Sequence, residues 1–448
     1  MIKQNNLPVY KSKTTGRMSK KEEKEYQKIK EKLIQLKVND KTPNIQTNEI
    51  KNLITTKSTN SKKIIDKLTN DLKGYGKINP LLKDDNLEEI MIIGKNKPVY
   101  VYHRNQGMMI TEISLSEPEI RQIINKIANY VQRKIDTETP ILDARLPNGS
   151  RVNATIPPVT ADGSTLTIRK FQKEQLTILN LIESNTISSH LASFLWINID
   201  GYDIRPSNIL ISGGTSSGKT TTLNTLTSFI PPNERIITIE DTLELQIPHE
   251  HVIRTETRPP NIEGKGEINM DILLKNSLRQ RPDRIIVGEV RSKEAITLFG
   301  ALNTGHSGMG TLHANSSQET ISRLTNPPMN VPTIMINSID IILMQNRIYH
   351  PEKGIIRRIT EVSEVVGMEM GKIQLNKIYQ YDYSLDRLEY TAINSKALNN
   401  IASMKGMTMK EITKEIERRE KYLLENMKNK ENTADTTKLI NDYHNQNQ

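Results

Sequence analysis

Apolar positions in the first 75 residues are few and regularly spaced. Tyr26, Ile29, Leu33 and Leu36 recur at intervals of 3, 4 and 3, which is one face of an amphipathic helix from about Ser19 to Leu36. The sequence around it is rich in Lys, Thr, Asn and Ser and too poor in apolar residues to order itself. From Gly74 the pattern changes. Leu87 to Ile93 and Val99 to His103 are strand-like runs split by a turn over Gly94 to Pro98. Ser116-Glu117-Pro118-Glu119 places a cap, acids and a proline at the head of a helix over Ser116 to Val131. Short strands follow, punctuated by Pro147-Asn148-Gly149, Pro157-Pro158 and Asp162-Gly163.

A second pattern begins at Asn208: strand, glycine-rich turn, helix, then further strands and helices in alternation. Arg235 to Ile239, Arg284 to Val287 and Gly310 to Leu312 are short apolar strands; Met270 to Arg279 and Ser292 to Ala301 are the helices between them. Such alternation predicts a largely parallel sheet covered on both faces. After Val366 the chain turns polar. Thr408 and Glu411 form a capping box for a last helix, whose stripe is Ile412, Ile416, Leu423 and Met427. The expected organisation is a Lys-rich extension that is helical or partly disordered over 1–74, an α/β domain over 75–175, a helical connection over 176–200, a second α/β domain over 201–366 and a polar helical extension over 367–448.

Composition narrows the chemistry. The 448 residues contain no cysteine, which excludes disulfides, thiolate zinc sites and cysteine nucleophiles. Lys and Arg exceed Asp and Glu by 62 to 52, a net charge of +10 compatible with nucleic acid, an anionic membrane face or an ordinary lysine-rich surface. Aromatics make up only 4% of the chain, little for the stacking that nucleic-acid channels use, so no nucleic-acid partner is expected. There is no apolar signal core at the start. The longest apolar stretch, Ile334 to Met344, is broken by Asn337, Ser338 and Asp340. The expected location is therefore cytoplasmic.

Gly213-Gly214-Thr215-Ser216-Ser217-Gly218-Lys219-Thr220 matches the P-loop pattern in full, between the strand Asn208-Ile209-Leu210-Ile211 and a helix beginning near Thr221. Backbone amides of such a loop turn inward on phosphates, and the helix N-terminus favours their charge. Gly213 to Thr221 are thus the candidate ATP-binding residues. Lys219 is expected on the β- and γ-phosphates and the Thr220 hydroxyl on Mg2+. Arg284-Ile285-Ile286-Val287-Gly288-Glu289 is an apolar strand ending in a carboxylate, which makes Glu289 the candidate to orient or deprotonate the attacking water.

A second strand, Ile236 to Ile239, ends in acids; among Glu240, Asp241 and Glu244, Glu240 is favoured for Mg2+, against a plain capping role. In the glycine-rich segment Thr304 to Asn315, His313 is placed to sense the γ-phosphate or bridge to Glu289; His306 is a weaker candidate. Arg145, Arg151 and Arg169 cluster one domain upstream and are candidates to neutralise transition-state charge, set against a plain hairpin with exposed charges; Arg279, Arg281 and Arg291 flank the Glu289 strand and are placed to act similarly.

Together, residues 213–220, 236–244, 285–289 and 304–315 resemble the Walker A loop, Asp box, Walker B strand and His box of the type II and type IV secretion ATPases. Leu142 to Phe171 and Asn276 to Asp283 look most like the tight-adherence pilus branch, and Glu415 to Tyr443 look like archaeal relatives. The resemblance implies an N-terminal α/β (PAS-like) domain followed by a RecA-like P-loop ATPase domain, built into a homohexameric ring. It further implies Arg145, Arg151 and Arg169 closing on ATP and Mg2+, and a ring docked peripherally at the inner face of the cytoplasmic membrane on a polytopic platform protein. The activity implied is ATP hydrolysis driving pilus or archaellum assembly or protein secretion. The absence of cysteine sets the chain apart from members with a four-cysteine zinc module. A hexameric helicase and a scaffold with a vestigial site are the competing readings.

Overall fold

A computed structural model describes residues 7–11, 19, 23–29, 31, 64, 68, 74–104, 106–171, 175–260, 264–391, 394–428 and 433–447. The chain divides into two compact units, Met1–Lys173 and Glu174–Gln448.

In the first unit a helix over 23–29 buries Tyr26 and Ile29, as the early apolar spacing predicts; Leu33, Leu36 and most of the Lys-rich extension lie outside the described residues. The unit is built on a seven-stranded sheet. Its strands are β1 (Val9–Tyr10), β2 (Leu87–Ile92), β3 (Pro98–His103), β4 (Gly107–Ser114), β5 (Ile141–Arg145), β6 (Arg151–Thr155) and β7 (Thr165–Arg169). Their order is β1-β4-β3-β2-β7-β6-β5, antiparallel except for β1 beside β4. Leu87, Ile90 and Ile92 of β2 and Leu166 and Ile168 of β7 turn inward. Helix α1 (Glu117–Tyr130) lays Ile120, Ile123, Ile124 and Ile127 into the same core. Its start is fixed by a capping box at the predicted cap, with the Ser116 amide donating to Glu119 Oε2 at 2.8 Å.

The second unit carries a nine-stranded sheet in the order β10-β9-β11-β12-β8-β13-β14-β15-β16. Six strands are mutually parallel: β8 (Ile209–Ser212), β9 (Ile236–Glu240), β10 (Val252–Glu256), β11 (Arg284–Val290), β12 (Ser307–Leu312) and β13 (Ile341–His350). Ile209 and Ile211 enter one core, with Ile236 and Ile286; Leu210 enters the other, with Ile237, Ile285 and Val287. A parallel sheet buried on both faces requires this two-sided apolar character.

The sheet then continues where the sequence reads as a polar helical extension. Strands β14 (Gly354–Glu369), β15 (Lys372–Asp382) and β16 (Arg387–Tyr390) add an antiparallel wing. Charged residues hide these strands in the sequence. Arg358 and Glu364 are buried but satisfied: Arg358 Nε donates to Asp386 Oδ1 at 2.7 Å, and Glu364 Oε2 accepts from the Lys396 amide at 2.7 Å. Helices follow over Lys396–Lys405, Met409–Glu425 and Thr433–Asn447. They pack against the almost wholly buried helix α2 (Ser189–Asp200), where Trp196 stacks on Phe229 with centroids 5.2 Å apart.

Candidate nucleotide site

Strand β8 delivers the chain into the loop 213–218, and helix α3 (Lys219–Leu226) leaves it. The loop lies tight against its neighbours. A Cβ on Gly213 would stand 2.1 Å from the Gln345 carbonyl oxygen, so only glycine fits. Gly218 has φ +96°, in the left-handed region that glycine alone enters without strain. Lys219 Nζ turns back to donate to the Gly213 and Gly214 carbonyls, at 2.9 Å each. Burial pushes its pKa down, partly opposed by the charge of Glu289. Ser217 Oγ and Thr222 Oγ1 are buried without a hydrogen-bond partner among the described residues. Around Gly214 there is open space, since an added Cβ would meet nothing within 4 Å. Orphaned hydroxyls beside an open loop fit a polar ligand seated there.

Glu289 stands at a break in β11. Val287 pairs with Gly310 and Val290 with Leu312, so Gly288 and Glu289 together oppose Thr311. Such a bulge re-aims a side chain. Thr311 Oγ1 secures it by donating to the Gly288 carbonyl at 2.7 Å. Glu289 accepts from Arg291 Nη2, and His313 Nε2 lies 3.1 Å from its Oε1. Arg291 Nη1 also reaches Asp241, at 3.2 Å. Burial alone would raise the Glu289 pKa. The hydrogen bond and charge of Arg291, with His313 and Lys219 behind them, outweigh it and hold the carboxyl below its ordinary value. Burial and Lys219 lower the His313 pKa against the pull of Glu289.

The sequence-predicted residues separate at this point. Lys219, Glu289 and His313 share one electrostatic cluster. Glu240, favoured for Mg2+ and catalysis, is employed otherwise. It is 2% exposed; its Oε2 accepts from the Glu244 and Leu245 amides at 2.7 and 2.9 Å, and its Oε1 from Thr238 Oγ1 at 3.1 Å. Burial raises its pKa despite those bonds. The acid holds the turn after β9, the capping role set against the metal one. His306 Nδ1 lies 3.3 Å from the Ala301 carbonyl, near the end of a helix, and bonds it as a donor. Arg145, Arg151 and Arg169 form a row in the first unit: Arg145 pairs with Arg151 across β5–β6, and Arg151 with Arg169 across β6–β7.

Two elements of the site had weaker or no sequence signal. Arg291 reads as one flanking arginine among three, and only the fold turns it onto Glu289. Gln345 and Arg357 come from β13 and β14. Arg357 Nε donates to the Ser216 carbonyl at 3.1 Å, and the Gln345 carbonyl abuts Gly213. Neither carries a motif.

A P-loop between a parallel strand and a helix, with a carboxylate on β11 across the intervening β12, in a sheet covered on both faces, defines a P-loop nucleotide-binding protein of the RecA-like kind. More narrowly, residues 71–436 match the family described as type II/IV secretion system protein, and the chain belongs to that family. An uncharacterized protein of Methanocaldococcus jannaschii is 56% identical over 230 residues, covering 51% of this chain and 32% of its own. The chain thus spans about a third of the length of that relative. The type IV secretion system protein VirB11 of Bartonella quintana is 34% identical over 55% of this chain and 78% of its own. Among solved structures, the ATPase DotB of Legionella pneumophila aligns over 62% of this chain and 76% of its own, with a TM-score of 0.45 and 21% identity.

Proposed function

We propose that this chain is the ATP-hydrolysing motor subunit of a secretion or pilus-type system. The observation that carries the reading is the complete P-loop set beside Glu289, itself held ionised by Arg291 and His313. The amides of Gly213 to Gly218 and the head of the helix take the phosphates, with Thr221 in the first turn. Lys219 gives up the Gly213 and Gly214 carbonyls for the β- and γ-phosphates. Thr220 holds Mg2+ through its hydroxyl; the ion, when bound, neutralises charge on the transferred phosphate. Glu289 orients the attacking water and accepts its proton, and His313 and Arg291 fix the carboxylate in place. Glu240 contributes by holding the turn that carries Asp241 toward Arg291.

Family membership supports a homohexameric ring docked on a polytopic membrane platform protein, peripheral to the inner face of the cytoplasmic membrane. Consistent with a docked ring, no helix among the described residues is long and apolar enough to cross a membrane. Arg145, Arg151 and Arg169, a row on the first unit, then supply positive charge to bound nucleotide. The likeness of residues 142–171 to the tight-adherence pilus branch, and an archaeal origin, belong to the same proposal; the Methanocaldococcus jannaschii relative supports the second.

The test is hydrolysis of Mg-ATP by the purified full chain, with its mass followed by light scattering. The expected result is a hexamer in nucleotide that turns over ATP, and a Lys219→Ala variant that does neither at the same ATP concentration. A chain that binds no ATP in any assembly state would sink the motor reading.

A further inference from the structure

The loop has two unlike sides: Glu289 stands on β11, beyond β12, on one side of β8, and β13 and β14 stand on the other. That side is built unusually for a solvent-facing hairpin. Arg347 and Arg357 are directly opposed across β13–β14, both exposed, and neither has a carboxylate partner among the described residues. Like charges in that position destabilise a sheet. Two rungs further along the same face, Tyr349 and Ile355 are paired and 77% and 47% exposed.

Arg357 is the member that touches the loop. Its Nε donates to the Ser216 carbonyl, on the outside of a loop whose amides serve the phosphates. The side chain lies across Gly218: a Cβ there would come within 3.2 Å of Arg357 Cδ. The terminal guanidinium nitrogens have no partner among the described residues. A weakly hydrated planar cation, a second arginine, an exposed tyrosine and an exposed isoleucine make a surface suited to a flat, electron-rich heterocycle. A free phosphate would need only the charge.

We propose that this face of the β13–β14 hairpin is the nucleoside platform of the site, with the Arg357 guanidinium stacking on the purine base and Tyr349 flanking it. The proposal rests on the nucleotide reading above and adds a specificity residue to it. Binding of Mg-ATP and of inorganic tripolyphosphate with Mg2+ to the full chain, by calorimetry, separates the two. Stacking on one base is worth enough that Arg357→Ala should weaken ATP about tenfold. Tripolyphosphate, which has no base, should lose clearly less affinity in the variant than ATP does. Arg357→Lys keeps the charge and loses the plane, and should resemble the alanine variant. Tyr349→Ala should weaken ATP to a smaller extent.

Unchanged ATP affinity in Arg357→Ala would overturn the platform. So would an equal loss of ATP and tripolyphosphate, because Arg357 would then serve the shape of the loop. Full rescue of ATP binding by lysine would overturn stacking in favour of simple charge. A parent chain that bound neither ligand would overturn the nucleotide reading itself.

Discussion

Glu289 sits at the balance of two opposed effects. Burial favours its neutral form, and Arg291, His313 and Lys219 favour its charge. The second set wins, so the ionised form contributes stability above the unfolded-state pKa, and that contribution is lost as pH falls through the lower folded value. Removing Arg291 leaves burial with less opposition and must raise the carboxyl pKa. In Arg291→Ala the acid limb of the hydrolysis rate should therefore move to higher pH, with a greater loss of rate at pH 6 than at pH 8. A pH–rate profile parallel to that of the parent would show that Arg291 does not set the state of the carboxylate. The grouping of Lys219, Glu289 and His313 was legible because each lies in a motif. For Glu240 the sequence shows only an acid at a strand end; the fold adds the amides of Glu244 and Leu245 pointing at it.

At the scale of elements, the legible parts were those with an uninterrupted apolar character. Ile209 to Ser212, Ile236 to Glu240 and Arg284 to Val290 are strands because their residues meet a core on both faces. The antiparallel wing β14–β16 was not legible, since charged residues such as Arg358 and Glu364 interrupt its apolar ones. The P-loop depends on that unforeseen part of the sheet, through the Gln345 carbonyl against Gly213. Gly213→Ala should accordingly destabilise the second unit by about 1–3 kcal/mol, the usual range for forced overpacking, and lower ATP affinity as the loop shifts. Urea denaturation followed by nucleotide titration checks both. A variant of parental stability and affinity would mean the loop yields without strain.

At the scale of the whole molecule, the C-terminal helices belong to the body of the second unit. Arg419 is 3% exposed and bridges Asp200 of α2 and Glu415 Oε1, the latter at 3.0 Å; its guanidinium lies over Trp196, 4.9 Å from the ring centroid. Tyr443, from the last helix, donates to the same glutamate at 2.9 Å. Arg419→Ala would leave Asp200 buried without its cation and should cost about 3–5 kcal/mol. Chemical denaturation of the full chain measures that loss. A cost below about 1 kcal/mol, the range of exposed pairs, would contradict the buried network. The sequence hints at this packing only through the apolar stripe of Ile412, Ile416 and Leu423, because the partners Asp200 and Arg419 lie far apart in the chain.

The central claim is that Glu289 acts on the water attacking a nucleotide held by the P-loop. Steady-state hydrolysis and ATP binding by Glu289→Gln test it most directly. The amide keeps the side chain's shape and can still accept from Arg291, but it cannot take up a proton. The account predicts parental ATP affinity, with turnover lowered at least about a hundredfold, the lower range for loss of a general base. Turnover at the parental rate, or an equal loss of binding and turnover, would contradict it.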